Sequence, residues 1–357
     1  MKAAVISLGS VSSKMLIEAM QKYFEQVDNI NIKEVEVRLG KGQFTVLYQG
    51  KPLEDYDCIY AKGSFRYVNI LRSIVAITKP TTFIPFTPGS FTVCHDKLLT
   101  HLKLQEFNVS NPQTLLFSSV KAAKESLSDL YFPIIMKLPH GTHGKGVMFA
   151  DSKESASSVL DTLEALKQPF IIQEYIEAGG KDIRAFVIGE EVIAAMQRSA
   201  VSGEKRANIH AGGSGEAFLM DPKAKKLAID AAHAVGCEIS AIDLLKGPKG
   251  HTVIEVNISP GLQGITKATG INVADKMAKY LFDKTLEMKS KKKVKSTESV
   301  MQELGLEDTD TTEVVDAPDF RADRLLLPSL VTKLAAFKPK DEICYKVNKG
   351  KISIKKI

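Results

Sequence analysis

The chain has 357 residues, of which 44% are hydrophobic and 25% charged, and its formal net charge is +6. These values exclude a disordered or fibrous chain, and the length suggests two or three domains. No apolar run is long enough to span a membrane and the start lacks a secretory core, so we expect a cytoplasmic protein. The four cysteines lack CxxC spacing, which favours reduced thiols over disulfides or zinc ligands.

The N-terminal part alternates strand and helix patterns. An apolar segment at residues 3–8 precedes an amphipathic run at 12–24 and a β-branched stretch at 30–37, which predicts an α/β unit. Gly9-Ser10 is too short for a dinucleotide fingerprint and indicates a tight turn, with substrate contact as the alternative. In the next unit, the loop at residues 62–66 could face a cleft, because open α/β sheets bind ligands at the carboxyl ends of strands.

A glycine-rich loop follows an apolar strand that ends at Lys137. It spans residues 141–147 and leads into another apolar segment. This order differs from a P-loop, which leads into a helix, and suits a flap whose backbone N–H groups close over phosphates. A plain hairpin turn is the alternative.

Basic residues accumulate further along the chain. Arg184 and Arg198 accompany strand-like segments, and a polar loop with Arg206, Asn208 and His210 follows. Guanidinium groups contact carboxylates and phosphates through paired hydrogen bonds, so this region suits an anionic ligand. A solvated surface loop is the alternative.

The segment at residues 241–264 predicts a β-hairpin around a Gly-Pro-Lys-Gly turn. Glu255 and Asn257 fall on one face, because side chains repeat every second residue along a strand. If Asp243 points the same way, two carboxylates and an amide oxygen converge, which suits Mg²⁺. An ordinary hairpin with three exposed polar residues is the alternative.

In this order, the features resemble the ATP-grasp superfamily and, more narrowly, its RimK-type amino-acid ligases. The motifs are Lys97, the strand ending in Lys137, the glycine loop, Gln173-Glu-Tyr-Ile176, Asp182-Ile-Arg184, Arg206-x-Asn208-x-His210, Asp243, and Glu255-Val-Asn257-Ile-Ser-Pro-Gly261. The resemblance implies an α/β (α+β) fold in which an open α/β domain (residues 1–92) precedes an ATP-grasp domain (93–288).

The resemblance also implies how ATP is bound. Lys97 and Lys137 would contact its phosphates, and Asp182 would lie near the ribose. The remaining nucleotide-binding residues would be the flap residues Gly141, Thr142, Gly144 and Gly146 and the adenine-binding linker residues Glu174, Tyr175 and Ile176.

Metal and substrate residues are implied in the same way. Two Mg²⁺ or Mn²⁺ ions would be held by Asp243, Glu255 and Asn257. Arg206 and Asn208 would sit beside the transferred phosphoryl group. Arg198 or Arg184 would lie near the substrate carboxylates.

One departure concerns the loop after Asn208. Many RimK-type ligases carry His-Arg-Gly-Gly where this chain has His210-Ala-Gly-Gly. The missing arginine should weaken the binding of an acidic group. The resemblance therefore does not settle which acceptor is used, or whether glutamate is the amino acid that is added. His210 could be a substrate contact or a structural loop residue.

The composition changes near residue 289. A charged linker (289–315) begins with five lysines between residues 289 and 295. Residues 316–357 resemble an AbrB-type swapped hairpin, a small β-rich module completed by a second chain. The resemblance implies a homodimer, and dimerisation is favoured over binding of nucleic acid, because acidic residues partly balance the basic ones.

We therefore expect an ATP-dependent carboxylate–amine ligase that works through an acyl phosphate. Its substrates would be ATP, an amino acid, foremost glutamate, and a small-molecule coenzyme or protein terminus as acceptor. The alternative is a nucleotide-sensing DNA-binding regulator built on an ATP-grasp body.

Overall fold

The computed structural model describes residues 1–40, 43–139, 146–199, 214–303, 319–321, 324–328, 331–332, 335–338, 341–349 and 351–356. The chain forms two compact units, residues 1–289 and residues 290–357. The domain boundary predicted after residue 92 stays a prediction. In the described part of the chain, no helix is long and apolar enough to cross a membrane.

The first unit begins with a three-stranded parallel sheet in the order β2-β1-β6. A second, antiparallel sheet has the order β3-β4-β5. The elements are β1 (Lys2–Ser7), α1 (Val11–Met20), β2 (Gln26–Asn31), β3 (Val35–Gly40), β4 (Gln43–Tyr48), β5 (Lys51–Pro52), β6 (Cys58–Ala61) and α2 (Val68–Thr78). The predicted α/β unit is confirmed, and α1 begins where the Ser10 side chain accepts a hydrogen bond from Ser13 N.

A four-stranded antiparallel sheet, in the order β7-β10-β8-β9, follows in the chain. The elements are α3 (Pro88–Cys94), α4 (Lys97–Glu106), β7 (Thr114–Leu115), α5 (Val120–Ser126), β8 (Ile134–Lys137), β9 (Val147–Ala150), α6 (Lys153–Ala165) and β10 (Ile171–Glu174). This sheet and helices α5 and α6 bury an apolar core of their own, centred on Met136, Leu160 and Ile172.

A five-stranded antiparallel sheet, in the order β13-β12-β11-β14-β15, completes the first unit. The elements are β11 (Lys181–Ile188), β12 (Glu191–Ser199), β13 (Ser214–Ala217), α7 (Pro222–Ala234), β14 (Ile239–Gly247), β15 (Gly250–Asn257), α8 (Gln263–Thr269) and α9 (Val273–Glu303). Its buried face shares one hydrophobic core with the N-terminal parallel sheet. Packing therefore joins these two sheets across a long stretch of sequence.

Helix α9 is longer than the sequence pattern predicts. A charged linker is expected from residue 289, but α9 continues through the lysine-rich stretch to Glu303. Lysine and glutamate have high helix propensity, and pairs such as Lys279–Asp283 support the exposed face. The shift in composition therefore does not end the helix.

The second unit contains two short antiparallel hairpins. Strand β16 (Asp319–Arg321) pairs with β17 (Arg324–Leu326), and β18 (Ile343–Asn348) pairs with β19 (Lys351–Lys356). Several of their apolar side chains are exposed, namely Leu325, Leu326, Tyr345, Val347 and Ile352. The predicted AbrB-type module stays a prediction.

Candidate active site

The predicted hairpin is confirmed as β14 and β15, which pair from Gly247–Gly250 at the turn to Ala241–Asn257. Asp243 lies directly opposite Glu255, whereas the next pair is Leu244 and Val253. Ile254 is therefore an extra residue in β15, a β-bulge of the kind that redirects side chains near active sites. It lets Leu244 and Val253 stay in the core while Glu255 faces the same way as Asp243.

The three predicted metal ligands lie together. Asn257 Nδ2 donates a hydrogen bond to Asp243 Oδ2 at 3.3 Å, and Glu255 is the cross-strand neighbour of Asp243. Burial and the charge of Asp243 raise the pKa of Glu255, against the opposing effect of Lys97, Arg184 and Lys137. Two carboxylates and an amide oxygen on one face are the donor set that a hard divalent cation prefers, so these residues fit Mg²⁺ or Mn²⁺.

Two arginines hold Asp243 from the neighbouring strands. Arg184 is opposite Asp243 in the sheet and donates through Nε and Nη2 to its two carboxylate oxygens, both at 2.7 Å. Arg198 Nη2 reaches Asp243 Oδ2 at 2.9 Å. Burial alone would raise the pKa of Asp243, but the charges of Arg184 and Arg198 lower it to about 2.

Asp182, which is predicted to lie near the ribose, forms an ion pair with Arg198. Its carboxylate accepts hydrogen bonds from Arg198 Nε at 2.5 Å and Arg198 Nη2 at 2.7 Å, and Arg198 is only 6% exposed. Burial, together with the charge of Asp243, raises the pKa of Asp182 to about 6. Both carboxylate oxygens are thus engaged by Arg198, and the ribose contact stays a prediction.

These contacts distinguish Arg184 from Arg198, the two arginines that are expected near the substrate carboxylates. Arg198 is committed to Asp182 and Asp243 inside the sheet. Arg184 bonds only to Asp243 among the described residues, and its side chain is more exposed than that of Arg198. Arg184 is therefore the better placed of the two to reach a ligand.

Two lysines approach the carboxylates from the four-stranded sheet and from α4. Lys97 is the first residue of α4, which begins where Asp96 accepts a hydrogen bond from Leu99 N, and Lys137 ends β8. Burial lowers the pKa of Lys97 and lowers that of Lys137 to about 8, although Glu255 opposes both shifts. Both lysines therefore lie within electrostatic reach of Glu255.

The glycine loop is described only at its end. Residues 140–145, with Gly141, Thr142 and Gly144, lie outside the described residues. Gly146 has a φ of +78°, and Leu138 N donates to Gly146 O at 3.0 Å, so β8 and β9 form an antiparallel hairpin. The two predicted strands on either side of the glycine-rich segment are confirmed.

The predicted adenine linker leaves the end of β10. Glu174 pairs with Gln113 through both backbone and side chain, and its Oε1 accepts from Gln113 N at 3.0 Å. The Tyr175 ring stacks edge-on against Phe149 of β9 at 5.4 Å between centroids. Ile176, the next residue along the chain, is partly buried. The segment that begins at Glu174 thus lies next to β9, the strand that follows the glycine-rich loop.

Three predicted residues, Arg206, Asn208 and His210, lie outside the described residues. The sequence pointed to the loop at residues 62–66 but not to a particular residue in it, and Lys62, which follows strand β6, is 8% exposed. A lysine that ends an apolar strand is the same signal that marks Lys137. That signal, applied to residues 58–62, would have found it.

The comparisons with known proteins agree with this geometry. A family model for the RimK-like ATP-grasp domain matches residues 94–281. The chain is 34% identical over 289 residues to a probable alpha-L-glutamate ligase of a Picosynechococcus species, which covers 79% of this chain and 95% of the relative.

Two solved structures share the fold. A RimK domain ATP-grasp protein from Sphaerobacter thermophilus superposes with a TM-score of 0.61 at 17% identity, covering 78% of this chain and 99% of its own. The ATP-grasp ligase PsnB, complexed with minimal precursor, Mg and ADP, has a TM-score of 0.61 at 17% identity and covers 80% of this chain and 98% of its own.

The fold and the cluster of carboxylates, lysines and arginines define an ATP-dependent ligase of the ATP-grasp class. The chain belongs to the RimK-like ATP-grasp family. The resemblance drawn from the ordered motifs is thereby confirmed.

Proposed function

We propose that this ligase joins L-glutamate to an acceptor through an amide bond, using ATP and two Mg²⁺ ions. The observation that carries the proposal is the convergence of Asp243, Glu255 and Asn257 on one face, with Lys97 and Lys137 within electrostatic reach. Such a cluster of oxygen ligands and cations suits the phosphates of a nucleotide.

The reaction needs an activated carboxylate, because a free carboxylate is a poor acylating agent. The γ-phosphoryl group moves from ATP to a carboxylate oxygen, which gives an acyl phosphate and ADP. A neutral amine then attacks the carbonyl carbon, the C–O bond to phosphate breaks, and the amine nitrogen loses a proton. The products are an amide, ADP and inorganic phosphate.

The residues of this chain supply positioning and charge for both steps. Phosphoryl transfer depends mainly on alignment and on neutralisation of the equatorial oxygens. Lys97 and Lys137 would contact the phosphates, and Arg184 would stabilise the carboxylate that becomes phosphorylated or its acyl phosphate. Asp243, Glu255 and Asn257 would hold Mg²⁺, which would offset the negative charge of the phosphates.

Other roles carried by the resemblance are proposed for residues outside the cluster. Gly141, Thr142, Gly144 and Gly146 would form a flap that keeps water from the acyl phosphate. Glu174, Tyr175 and Ile176 would bind adenine. Arg206 and Asn208 would sit beside the transferred phosphoryl group.

Glutamate is proposed as the amino acid because the relative with 34% identity is a probable alpha-L-glutamate ligase. Mg²⁺ is favoured because the PsnB structure was obtained with Mg and ADP. We do not retain the DNA-binding regulator as a second function, because neither the family match nor these relatives support it.

Release of inorganic phosphate tests the proposal. With ATP, Mg²⁺, candidate acceptors and a panel of amino acids, we expect phosphate release that requires both an acceptor and glutamate, with a glutamyl adduct detected by mass spectrometry. Phosphate release with another amino acid and none with glutamate would refute the choice of glutamate. No release with any combination would refute the ligase reaction.

We also propose that the chain forms a homodimer through the two hairpins of its second unit. Val347 and Ile352 are directly opposite each other in β18 and β19, and both are more than half exposed. A short β-rich segment with exposed apolar side chains buries too little surface to be stable alone, and a second copy of the chain would cover those side chains.

A further inference from the structure

Lys62 is a buried cation at the edge of the N-terminal sheet. It directly follows β6, and its backbone N–H donates to Ile6 O of the central strand β1 at 2.9 Å. Its side chain is 8% exposed, and Nζ donates to the backbone oxygen of Pro260 at 3.3 Å. Lys62 thus lies where the parallel strands end, facing the loop that follows the metal-binding hairpin.

That loop is held to helix α1 and to the connection after β6 by two further hydrogen bonds. Gly63 N donates to Ser259 Oγ at 3.2 Å, and Leu262 N donates to Ser12 Oγ at 2.9 Å. Ser259 is only two residues after Asn257, one of the proposed metal ligands. The Lys62 ammonium is therefore tied to the same loop as the proposed site of phosphoryl transfer.

The charge of Lys62 lacks a carboxylate partner in the described part of the chain. Among those residues, Pro260 O is the one acceptor that Nζ reaches, and burial, the only cause acting on it, lowers the pKa of Lys62 to about 8. An ammonium group has three donors, so a single, long hydrogen bond to a carbonyl leaves it under-satisfied. A buried cation of this kind is stabilised when an anion binds.

Lys79 is only partly buried, and it shows the contacts that a lysine with a structural role makes. It follows α2, and its Nζ donates to Ile84 O at 2.6 Å and to Phe86 O at 2.9 Å. Those two short bonds tie the end of the helix to the next segment. Lys62 makes one hydrogen bond where Lys79 makes two shorter ones. Its ammonium group can therefore donate further hydrogen bonds to a ligand.

The connections around Lys62 also carry exposed apolar side chains. Leu8 and Val11 lie in or just after the connection that leaves β1, and Phe65 lies in the connection that leaves β6. Strands β1 and β6 are parallel neighbours, so both connections leave the same edge of the sheet. Ligands bind at this edge in open α/β sheets, and a substrate here would meet an apolar rim above a buried cation.

We propose that Lys62 binds the side-chain carboxylate of the amino-acid substrate, and so determines the preference for an acidic amino acid. The inference rests on the proposed ligase function, with glutamate as the amine substrate. In that reaction neither carboxylate of glutamate is phosphorylated, so the side-chain carboxylate keeps its charge and needs a cation. Arg198 cannot serve, because it is committed to Asp182 and Asp243.

Equilibrium binding of L-glutamate and of L-glutamine to the full-length protein with Mg–ADP tests the inference. Calorimetry on the wild-type protein should show tighter binding of glutamate. Lys62→Met should weaken glutamate binding roughly tenfold to a hundredfold, the loss expected for a hydrogen bond to a charged group, and should abolish the preference. Lys62→Arg should restore part of it, and Lys79→Met should lower the melting temperature without changing the preference.

Several outcomes would decide the matter. The inference would be refuted if Lys62→Met kept the preference for glutamate over glutamine. It would also be refuted if the variant bound glutamate and glutamine more weakly by the same factor, because Lys62 would then not recognise the side-chain carboxylate. If Lys62→Met raises KM for the acceptor alone, the carboxylate belongs to the acceptor, and the proposed control of amino-acid preference is refuted. The wild-type protein could turn over glutamate while Lys62→Met changes no KM. That result would refute the proposed role of Lys62 but not the proposed ligase reaction.

Discussion

At the scale of residues, the site depends on a buried network of opposite charges. Asp243 is 2% exposed and receives hydrogen bonds from Arg184, Arg198 and Asn257, while Asp182 receives two from Arg198. Each charge is stable in the interior only because its partner is present, since an uncompensated buried charge is costly. The network therefore positions Asp243 before any ligand binds.

Arg198 connects the two carboxylates, and its removal should be the most damaging single change in the network. Arg198→Met leaves both Asp182 and Asp243 short of a partner, and we expect a loss of about 3–5 kcal/mol in the free energy of unfolding. Urea titration measures it. Lys226→Met, which breaks the exposed Lys226–Asp230 pair, is the control and should change stability little. Equal effects of the two substitutions would contradict a structural role for Arg198.

Part of the site could be predicted from single residues. The spacing of Glu255 and Asn257 places them on one face, and the structure confirms this. The sequence leaves the orientation of Asp243 open. Strict alternation back from Glu255 would also place Val253 on the same face as Glu255. The bulge at Ile254 changes the phase, so Val253 is buried while Glu255 meets Asp243. A bulge leaves no clear signal in an unbroken β-branched run.

At the scale of elements, the sequence patterns predict the N-terminal α/β unit and the hairpin of β14 and β15, but not how the other strands divide among the sheets. The β-branched stretch at residues 30–37 contains parts of two strands in different sheets, β2 and β3. The break is a short turn, Ile32–Glu34, where the Asn31 side chain accepts a hydrogen bond from Lys33 N. A local side-chain hydrogen bond of this kind competes with strand geometry and is hard to weigh from sequence.

The junction between α7 and α3 gives a prediction at this scale. Gly236 follows α7 with a φ of +74°, and a Cβ there would lie 2.4 Å from Thr87 Oγ1, just before α3. In Gly236→Ala the overlap with Thr87 should lower the free energy of unfolding by about 1–3 kcal/mol. The strain of an alanine in the left-handed backbone conformation should lower it by about 1–2 kcal/mol more. Urea titration should show a corresponding fall in the free energy of unfolding.

Gly270 is the matched control for Gly236. It ends α8 with a φ of +70°, and no atom of the described residues lies within 4 Å of where a Cβ would stand. Gly270→Ala should therefore cost only the backbone strain. A loss of stability in Gly270→Ala as large as that in Gly236→Ala would show that the contact with Thr87 is unimportant.

At the scale of the whole molecule, the first unit holds every described site residue, and the second presents exposed apolar side chains. This division suggests that catalysis and assembly are separate tasks of the chain. The sequence indicated the division through its change in composition near residue 289. It could not show that α9 continues past that point, because propensity alone does not mark where a polar helix ends.

The proposed dimer can be tested in the full-length protein. Val347→Asp combined with Ile352→Asp places two like charges opposite each other on the face proposed to meet a second copy. Light scattering should then give the mass of a monomer where the wild-type protein gives a dimer. Ligase activity should persist. A wild-type monomer, or an unchanged dimer in the double variant, would contradict the proposal.

The central claim is that the hairpin of β14 and β15 seats the cation that supports phosphoryl transfer. Glu255→Gln tests it most directly, because it keeps the shape of the side chain and removes the charge opposite Asp243. Phosphate release that depends on glutamate and acceptor should fall to background, with an unchanged melting temperature, while the exposed control Glu191→Gln stays active. Glu255→Gln with wild-type phosphate release and an undiminished Mg²⁺ requirement would contradict the account.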